Sequence, residues 1–472
     1  MFSGECAKSE LDLFTTYPIN SSIESSRYDS YKPKEIIDIK DKVFSITVEP
    51  GSDYIDLNDI YLHLEIEFGT FKKTNTTDAN KTFQQWTNDL EIGPVNNFGH
   101  SIFKSIQLTV TSPNKLPTLV ERGTDDYHYK AYLLNLLNFG SDAKNGWLNN
   151  CLFEQDTPGQ FDNFDLYENT SVNNRRQSIA IKQTDQSYTL QEKQHNHGFL
   201  RRRETIVDGN GKIKLIFPLY IDMLQTNKLL PAFFGLKFNF SLNPHDLCLL
   251  GKQQEAEFKI QSATLNVRKC KINQNIITAH NRALEMGPIL YPQKTFRLIT
   301  RPIDSNTSRY SCSISNIVPN KIILGLVKET SYTATKEQNP FDFQHNELSK
   351  VEINYQGLSF EININRFDND YVEGYHSLLD TMNMYYSNNS SITPEEYKNG
   401  CFLFGYNLNP DKGCDGQFNP NILENCTLNL VFKDMPKRKL RLIILCEYDN
   451  QLKISKNQDN YQILYEQSID NN

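Results

Sequence analysis

The chain has 472 residues, with 49 Lys and Arg against 57 Asp and Glu and a formal net charge of −8. This length exceeds what one hydrophobic core sustains, so two core-bearing domains are expected, and the acid excess excludes a general basic coat for nucleic acid. With 28 Phe and 24 Tyr, the chain is too aromatic to be disordered and favours strands.

The opening MFSGECAKSE has no basic segment followed by an apolar one, so no secretory signal is expected. No apolar run reaches the ~18 to 20 residues that span a bilayer. Nine cysteines without a CxxC pair predict reduced core thiols rather than a zinc site or a disulfide framework.

Residues 1–41 lack sustained periodicity and read as an extended N-terminal arm. Val43 to Val48 is a short strand, Pro50-Gly51 a turn, and Asp53 to Phe68 a long strand with Leu62, Leu64, Ile66 and Phe68 on one face. Tyr61, His63, Glu65 and Glu67 occupy the other face. This predicts a sheet corner, with Gly51 free to take a positive φ. After a polar loop, Ile102 to Val110 alternates again. From Asp125 to Asn138, Tyr129, Tyr132, Leu133, Leu136 and Leu137 form one helical stripe, with Asp125 or Asp126 as cap and Gly140 as stop.

Asn163 to Lys193 is polar and poorly periodic, a long excursion. His195 and His197 lack ligand-spaced partners for a metal. Arg201-Arg202-Arg203, read on a strand or loop, cannot all face one phosphate, so a solvated or subunit-facing patch is expected. Gly209-Asn210-Gly211 reads as a hairpin turn. Strands follow at Ile213 to Leu219, Phe233 to Phe240 and Phe258 to Val267. Asn275 to Glu285 then changes to helical spacing and stops at Gly287-Pro288, which marks the domain link.

In the second half, strands are predicted at Phe296 to Ile303, at Ile322 to Val327 as a run buried on both faces, at Cys426 to Phe432 and at Lys439 to Tyr448. Tyr355-Gln356-Gly357 reads as a turn.

Several blocks carry a resemblance. They are Leu11-Asp12-Leu13-Phe14, Ser22-Ile23-Glu24 with Ser26-Arg27, and Gly51-Ser52-Asp53-Tyr54-Ile55-Asp56-Leu57. Asp142-Ala143-Lys144, Asp156-Thr157 with Gly159, and Asn339-Pro340-Phe341 with Phe343 and His345 continue the series. In this order they closely resemble the hexon-like major capsid proteins of Polinton (Maverick) elements and their adintovirus relatives. The resemblance runs from about Leu11 to Tyr448 and is weakest across the polar excursion and the tail.

The resemblance implies an all-β protein: two tandem antiparallel jelly-roll β-sandwiches, a double jelly roll, with a few short helices and long loops. The divisions expected are an arm at 1–41, an N-terminal jelly roll at 42–270, a linker helix at 271–292, a C-terminal jelly roll at 293–450 and a tail at 451–472. Gly51, Asp53, Tyr54, Ile55, Asp56, Leu57, Asn339, Pro340, Phe341, Phe343 and His345 are the motif residues, expected to be structural. The implied function is a major capsid protein, a homotrimeric pseudo-hexagonal capsomer in an icosahedral shell around double-stranded DNA. Its partners would be neighbouring capsomers and penton or minor capsid proteins, and it would reside in the virion.

No enzyme is expected, since a nucleophile elbow, a Walker lysine loop, a dinucleotide fingerprint and a His-Glu-x-x-His pair are all missing from the sequence. No cofactor, metal or specific nucleic-acid site is expected either. His245 and Cys248, the nearest approach to a Cys/His pair, are read as packing. The alternative function is a carbohydrate- or receptor-binding β-sandwich, which needs no obligate interface of the order of 2,000 Å² or more.

Overall fold

The computed structural model describes residues 21–35, 42–73, 81–87, 90–112, 117–165, 195–252, 255–333, 335–364, 371–385, 387, 389–413, 418–457 and 460–465. The Leu11 to Phe14 motif and most of the polar excursion lie outside the described residues.

The first half forms β1 (Ile23–Tyr31), β2 (Val43–Val48), β3 (Tyr54–Lys73), β4 (Lys81–Gln85), β5 (Ile92–Pro94), β6 (Phe103–Thr111), β7 (Thr118–Glu121), β8 (Lys212–Pro218), β9 (Leu229–Leu230), β10 (Gly235–Leu242), β11 (Leu249–Gly251) and β12 (Ala256–Ile272). The second half forms β13 (Ile289–Ile303), β14 (Arg309–Ser315), β15 (Lys321–Lys328), β16 (Leu348–Tyr355), β17 (Leu358–Asn363), β18 (Leu403–Asn407), β19 (Cys426–Phe432), β20 (Leu440–Asn457) and β21 (Asn460–Tyr465).

Among the described residues, and apart from the additions β4, β5, β9, β11 and β21, each half is built on eight strands with one shared plan. The sheets run β1-β12-β3-β8 and β2-β10-β6-β7 in the first half, and β13-β20-β15-β18 and β14-β19-β16-β17 in the second. In chain order that is first-eighth-third-sixth against second-seventh-fourth-fifth, twice over. This is the winding of a jelly roll, in which strands of one sheet alternate with strands of the other around a shared core.

The corner at Gly51 carries the chain from one sheet of the first roll to the other. Along β3, Leu62, Leu64, Ile66 and Phe68 are buried in the core, and Leu64 lies between Ala263 of β12 and Leu215 of β8. Each such side chain stabilises the fold by roughly 1.5–3 kcal/mol. Apolar residues of both rolls form one continuous core.

Five expectations are corrected. Ile23–Tyr31, read within an arm, is the edge strand β1, paired with β12 from Ile23↔Ile272 to Tyr31↔Leu265. It lacks a period because as an edge strand it is exposed on both faces over most of its length. The expected tail after residue 450 continues β20 and returns as β21, whose Tyr461 ring lies 4.8 Å from Phe233 of the first roll.

The arginine triplet is helical, within His197–Asp208, whose N-cap Asn196 accepts from the Phe199 amide at 3.2 Å. Successive residues on a helix point about 100° apart, so Arg202 and Arg203 turn inward while Arg201 stays exposed. Gly209 to Gly211 accordingly links that helix to β8 rather than joining two strands, with Asn210 at φ 50° and Gly211 at φ 82°. A Cβ on Gly211 would sit 2.4 Å from the Trp86 Cβ.

Gly51 is outside the left-handed region among the described residues. A Cβ there meets only Lys269 Nζ, at 3.7 Å. Its amide donates to Ala232 O at 3.0 Å, and that bond, with Pro50 before it, makes the corner.

Candidate functional site at the joints of the two rolls

The two motif blocks occupy two different joints. At the first, acidic side chains in and just after the Gly51 to Leu57 block pair with β1 and with its neighbour β12. Arg27 of β1 pairs with the buried Asp53 carboxylate. Arg268 Nη1 donates to Asp56 at 2.9 Å, and the Tyr28 hydroxyl donates to Asp59 at 2.6 Å. The bond to Asp59 pushes the Tyr28 hydroxyl up to about 12. Pairs with one partner open to solvent contribute little individually, so the strand depends on their number together with its ladder to β12.

Tyr54 packs with Cys270 and Ile272 in a small separate cluster, against Ile276 and Ile277 of the linker helix Gln274–Met286. Its hydroxyl lies 3.1 Å from His280 Nδ1. Ile55 and Leu57 point instead into the main core.

The second joint is built around the helix Tyr127–Asn138. A single apolar stripe was expected, yet every residue from Tyr127 to Leu137 is buried. The first roll covers one side and the second roll the other, so the polar residues are enclosed as well. Lys130 Nζ lies 2.7 Å from Asp222 and 3.3 Å from Glu121, and Asp222 Oδ2 accepts from the Phe296 amide of β13 at 3.1 Å. Burial pushes the Glu121 carboxyl up to about 7. His100 and His128 are held down to about 3, also by burial.

The Asn339 to His345 block meets this helix from the second roll. The Tyr132 ring stacks on Phe341 with centroids 4.1 Å apart, and Tyr129 meets Phe341 edge-on at 5.6 Å. The Tyr129 hydroxyl donates to Pro340 O at 2.9 Å. Phe343 completes the aromatic group against Tyr129 and Tyr132. Asn339 Nδ2 donates to Asp156 at 2.9 Å, and Arg202 Nη2 lies 2.6 Å from the other oxygen of that carboxylate. Both charged side chains are fully enclosed.

Lys328 Nζ lies 2.6 Å from Asp162 and 3.5 Å from Asp342, whose carboxyl is pushed up to about 6 by burial. His345 lies edge-on to Phe402 at 5.2 Å. Periodicity did not single out Lys130, Asp222, Asp162 or Lys328, because a buried ion pair takes its meaning from a partner far along the chain. Asp156 and Arg202 each stand in a short motif, 46 residues apart, and nothing in the sequence pairs them.

Among the described residues, no group of three or more His, Cys, Asp or Glu side chains is placed to hold a metal ion. His245 stacks on Phe258 at 4.4 Å, while Cys248 donates to Ser101 O at 3.3 Å and burial pushes its thiol up. A thiol kept protonated in this way is a poor nucleophile. Seven cysteines among the described residues are free, and all but Cys312 are buried. No helix among the described residues is long and apolar enough to cross a membrane. The second joint fixes one roll against the other, while the first ties β1 and the linker helix to the first roll.

Comparison with known proteins places this architecture. No family model matches the sequence. An uncharacterized protein of Caenorhabditis elegans is 23% identical over 396 residues, covering 79% of this chain and 84% of that protein. The structure of the Sputnik virophage matches with a TM-score of 0.59 at 12% identity, over 98% of this chain and 93% of the other. The PBCV-1 virus capsid matches at 0.54 and 11% identity, over 96% and 100% of the two chains. The Faustovirus major capsid protein matches at 0.51 and 10%, over 94% and 92%. Identities this low speak to fold, and they agree with the strand order found twice in this chain: its fold is the double jelly roll of viral major capsid proteins.

Proposed function

We propose that the chain is a major capsid protein of the Polinton (Maverick) and adintovirus type, three copies of which form a pseudo-hexagonal capsomer. The observation that carries this reading is the repeat itself: two rolls of identical strand order, fused through a buried, ion-paired joint into one body. Three such bodies present six similar walls around a threefold axis, a block that tiles a closed shell. The motif residues Gly51, Asp53, Tyr54, Ile55, Asp56 and Leu57, with Asn339, Pro340, Phe341, Phe343 and His345, then serve as joint residues rather than ligand contacts. The capsomer would sit in the virion shell around double-stranded DNA, beside other capsomers and penton or minor capsid proteins.

A second reading, a carbohydrate- or receptor-binding β-sandwich, is favoured by one feature. Trp147 is 42% exposed, meets Phe139 edge-on at 5.0 Å and borders a cleft of about 460 Å³ that also presents Asn58, Asn150 and Gln225. Light scattering with negative-stain imaging separates the two readings. A trimer with a hexagonal outline is expected; a well-folded monomer at high concentration, with saturable glycan binding lost in Trp147→Ala, would replace the first reading with the second.

A further inference from the structure

The ion-paired group at the second joint holds a nucleophile, an electrophile and a proton carrier in mutual contact. Lys130 Nζ lies 2.7 Å from Asp222 Oδ1 and 3.3 Å from Glu121 Oε1. A carboxyl C–O bond adds only about 1.2 Å, so Nζ stands no more than about 4 Å from the Asp222 carboxyl carbon, close to the ~3–3.5 Å of a near-attack pair. Each partner is fixed by a different element. Lys130 is on the helix Tyr127–Asn138, Glu121 ends β7, and Asp222 opens the helical turn Asp222–Gln225. The Asp222 amide donates to Glu121 Oε2 at 2.7 Å, and the Phe296 amide of β13 donates to Asp222 Oδ2 at 3.1 Å.

Enclosure separates this group from a surface pair. The Lys130 side chain is 3% exposed and that of Asp222 6%, while Glu121, at 15%, stands at the edge. The Phe296 ring lies 5.8 Å from Nζ. Charges in such a site are poorly solvated, and burial pushes the Glu121 carboxyl up to about 7, where it exchanges a proton near neutral pH. Burial also disfavours the Lys130 charge, but the two carboxylates outweigh it and keep the side chain an ammonium. A proton must therefore leave it before it can attack. The similar group of Lys328 with Asp162 and Asp342 leaves the Asp162 side chain 32% exposed, so water reaches it.

We propose that Lys130 and Asp222 condense into an intramolecular isopeptide bond, with Glu121 as the catalytic proton carrier. The ammonium first passes a proton to the Asp222 carboxylate along their 2.7 Å contact, which leaves a neutral amine and a neutral acid. Nζ then attacks the carboxyl carbon and forms the C–N bond, while the Phe296 amide stabilises the negative charge that develops on Oδ2. Glu121 gives its proton to the departing Oδ1 hydroxyl and takes one from the nitrogen. The C–Oδ1 bond breaks and one water leaves, with no oxidant or cofactor consumed. A neutral amide replaces two buried charges. It ties the helix to the connection between β8 and β9 across 92 residues of chain, and closing so long a ring restricts the unfolded chain as a disulfide would. The bond goes beyond the capsid reading and stands independently of it.

The test is the mass of the full chain, purified folded and then denatured in reductant. The wild type is expected to be lighter than its sequence by one water, and tandem mass spectrometry of a digest is expected to show a branched peptide joining Lys130 to Asp222. Glu121→Gln keeps the shape but cannot carry the proton, so it is expected to fold, to have its full mass and to give separate peptides. Lys130→Arg keeps a cation beside both carboxylates without a nucleophilic amine, and should also lack the branch. A folded wild type of full mass without the branched peptide overturns the proposal, as does a water loss that maps to other residues. A branch undiminished in Glu121→Gln overturns the catalytic role of Glu121. The wild-type measurement decides the bond whether or not either variant folds.

Discussion

At the scale of single residues, the outcome of a substitution turns on whether a charge can find water or a partner. Leu64 is fully enclosed while its neighbour Glu65 faces outward and pairs with Lys214 at 2.9 Å. Leu64→Asp should therefore cost more than about 3 kcal/mol, because a buried carboxylate without a partner is not rehydrated. Glu65→Gln should stay within about 0.5 kcal/mol, and so should Gly51→Val, since the corner has neither a positive φ nor a crowded Cβ site. Urea denaturation of the three variants checks the face assignment, and equal losses for positions 64 and 65 would refute it. Arg202 tests the opposite case, a charge already paired. Arg202→Met strands the enclosed Asp156 carboxylate and should cost about 3–5 kcal/mol. Adding Asp156→Asn removes the stranded charge while keeping an acceptor for Asn339, and should recover at least about 1 kcal/mol.

At the scale of elements, the helix Tyr127–Asn138 and strand β1 show how differently two segments of similar length are held. The helix is enclosed by both rolls, so its stability comes from tertiary packing rather than from intrinsic propensity. Tyr132→Ala would remove the ring stacked on Phe341 and leave a cavity at the joint, with an expected loss of about 3–5 kcal/mol. β1 is an edge strand joined by a backbone ladder and exposed polar pairs. Tyr28→Phe, which deletes only the bond to Asp59, should cost no more than about 1 kcal/mol. Melting temperatures of the two variants measured together test this ranking, and comparable losses would mean that β1 is clamped as firmly as the helix.

At the scale of the whole molecule, the buried titratable groups oppose one another. Asp342 and Glu121 are raised by burial, so the folded state holds protons that the unfolded chain releases, and each group's contribution to stability falls as pH rises through its window. His100 and His128 are depressed by burial, and their contributions fall as pH drops below the ordinary histidine value toward about 3. For Asp342 the window runs from the ordinary carboxyl value of 3.8 to about 6. The effect is of the order of 2–3 kcal/mol across that range. Asp342→Asn removes this contribution, so its stability relative to wild type should improve between pH 4.5 and pH 7. Urea titrations at the two pH values measure it, and a difference that does not change with pH would show that Asp342 ionises normally.

What the sequence determined by itself was whatever is periodic or local. Alternation along Leu62 to Phe68, the apolar run of β15, the helical spacing after Asn275 and the Tyr355 to Gly357 turn follow from side-chain direction and local backbone preference. The number of cores followed from length, and the ordered motif blocks pointed to the double jelly roll. Tertiary structure alone decided what depends on a distant partner. Ile23–Tyr31 becomes a strand because β12, more than two hundred residues later, offers a ladder. Tyr127–Asn138 loses its solvent face because a second roll closes over it. Arg202 is buried because Asp156, Pro94 and Glu154 converge on it from other elements. Periodicity records which way a side chain points; what it meets there is set by the winding of the strands, which brings residues far apart in the chain into contact.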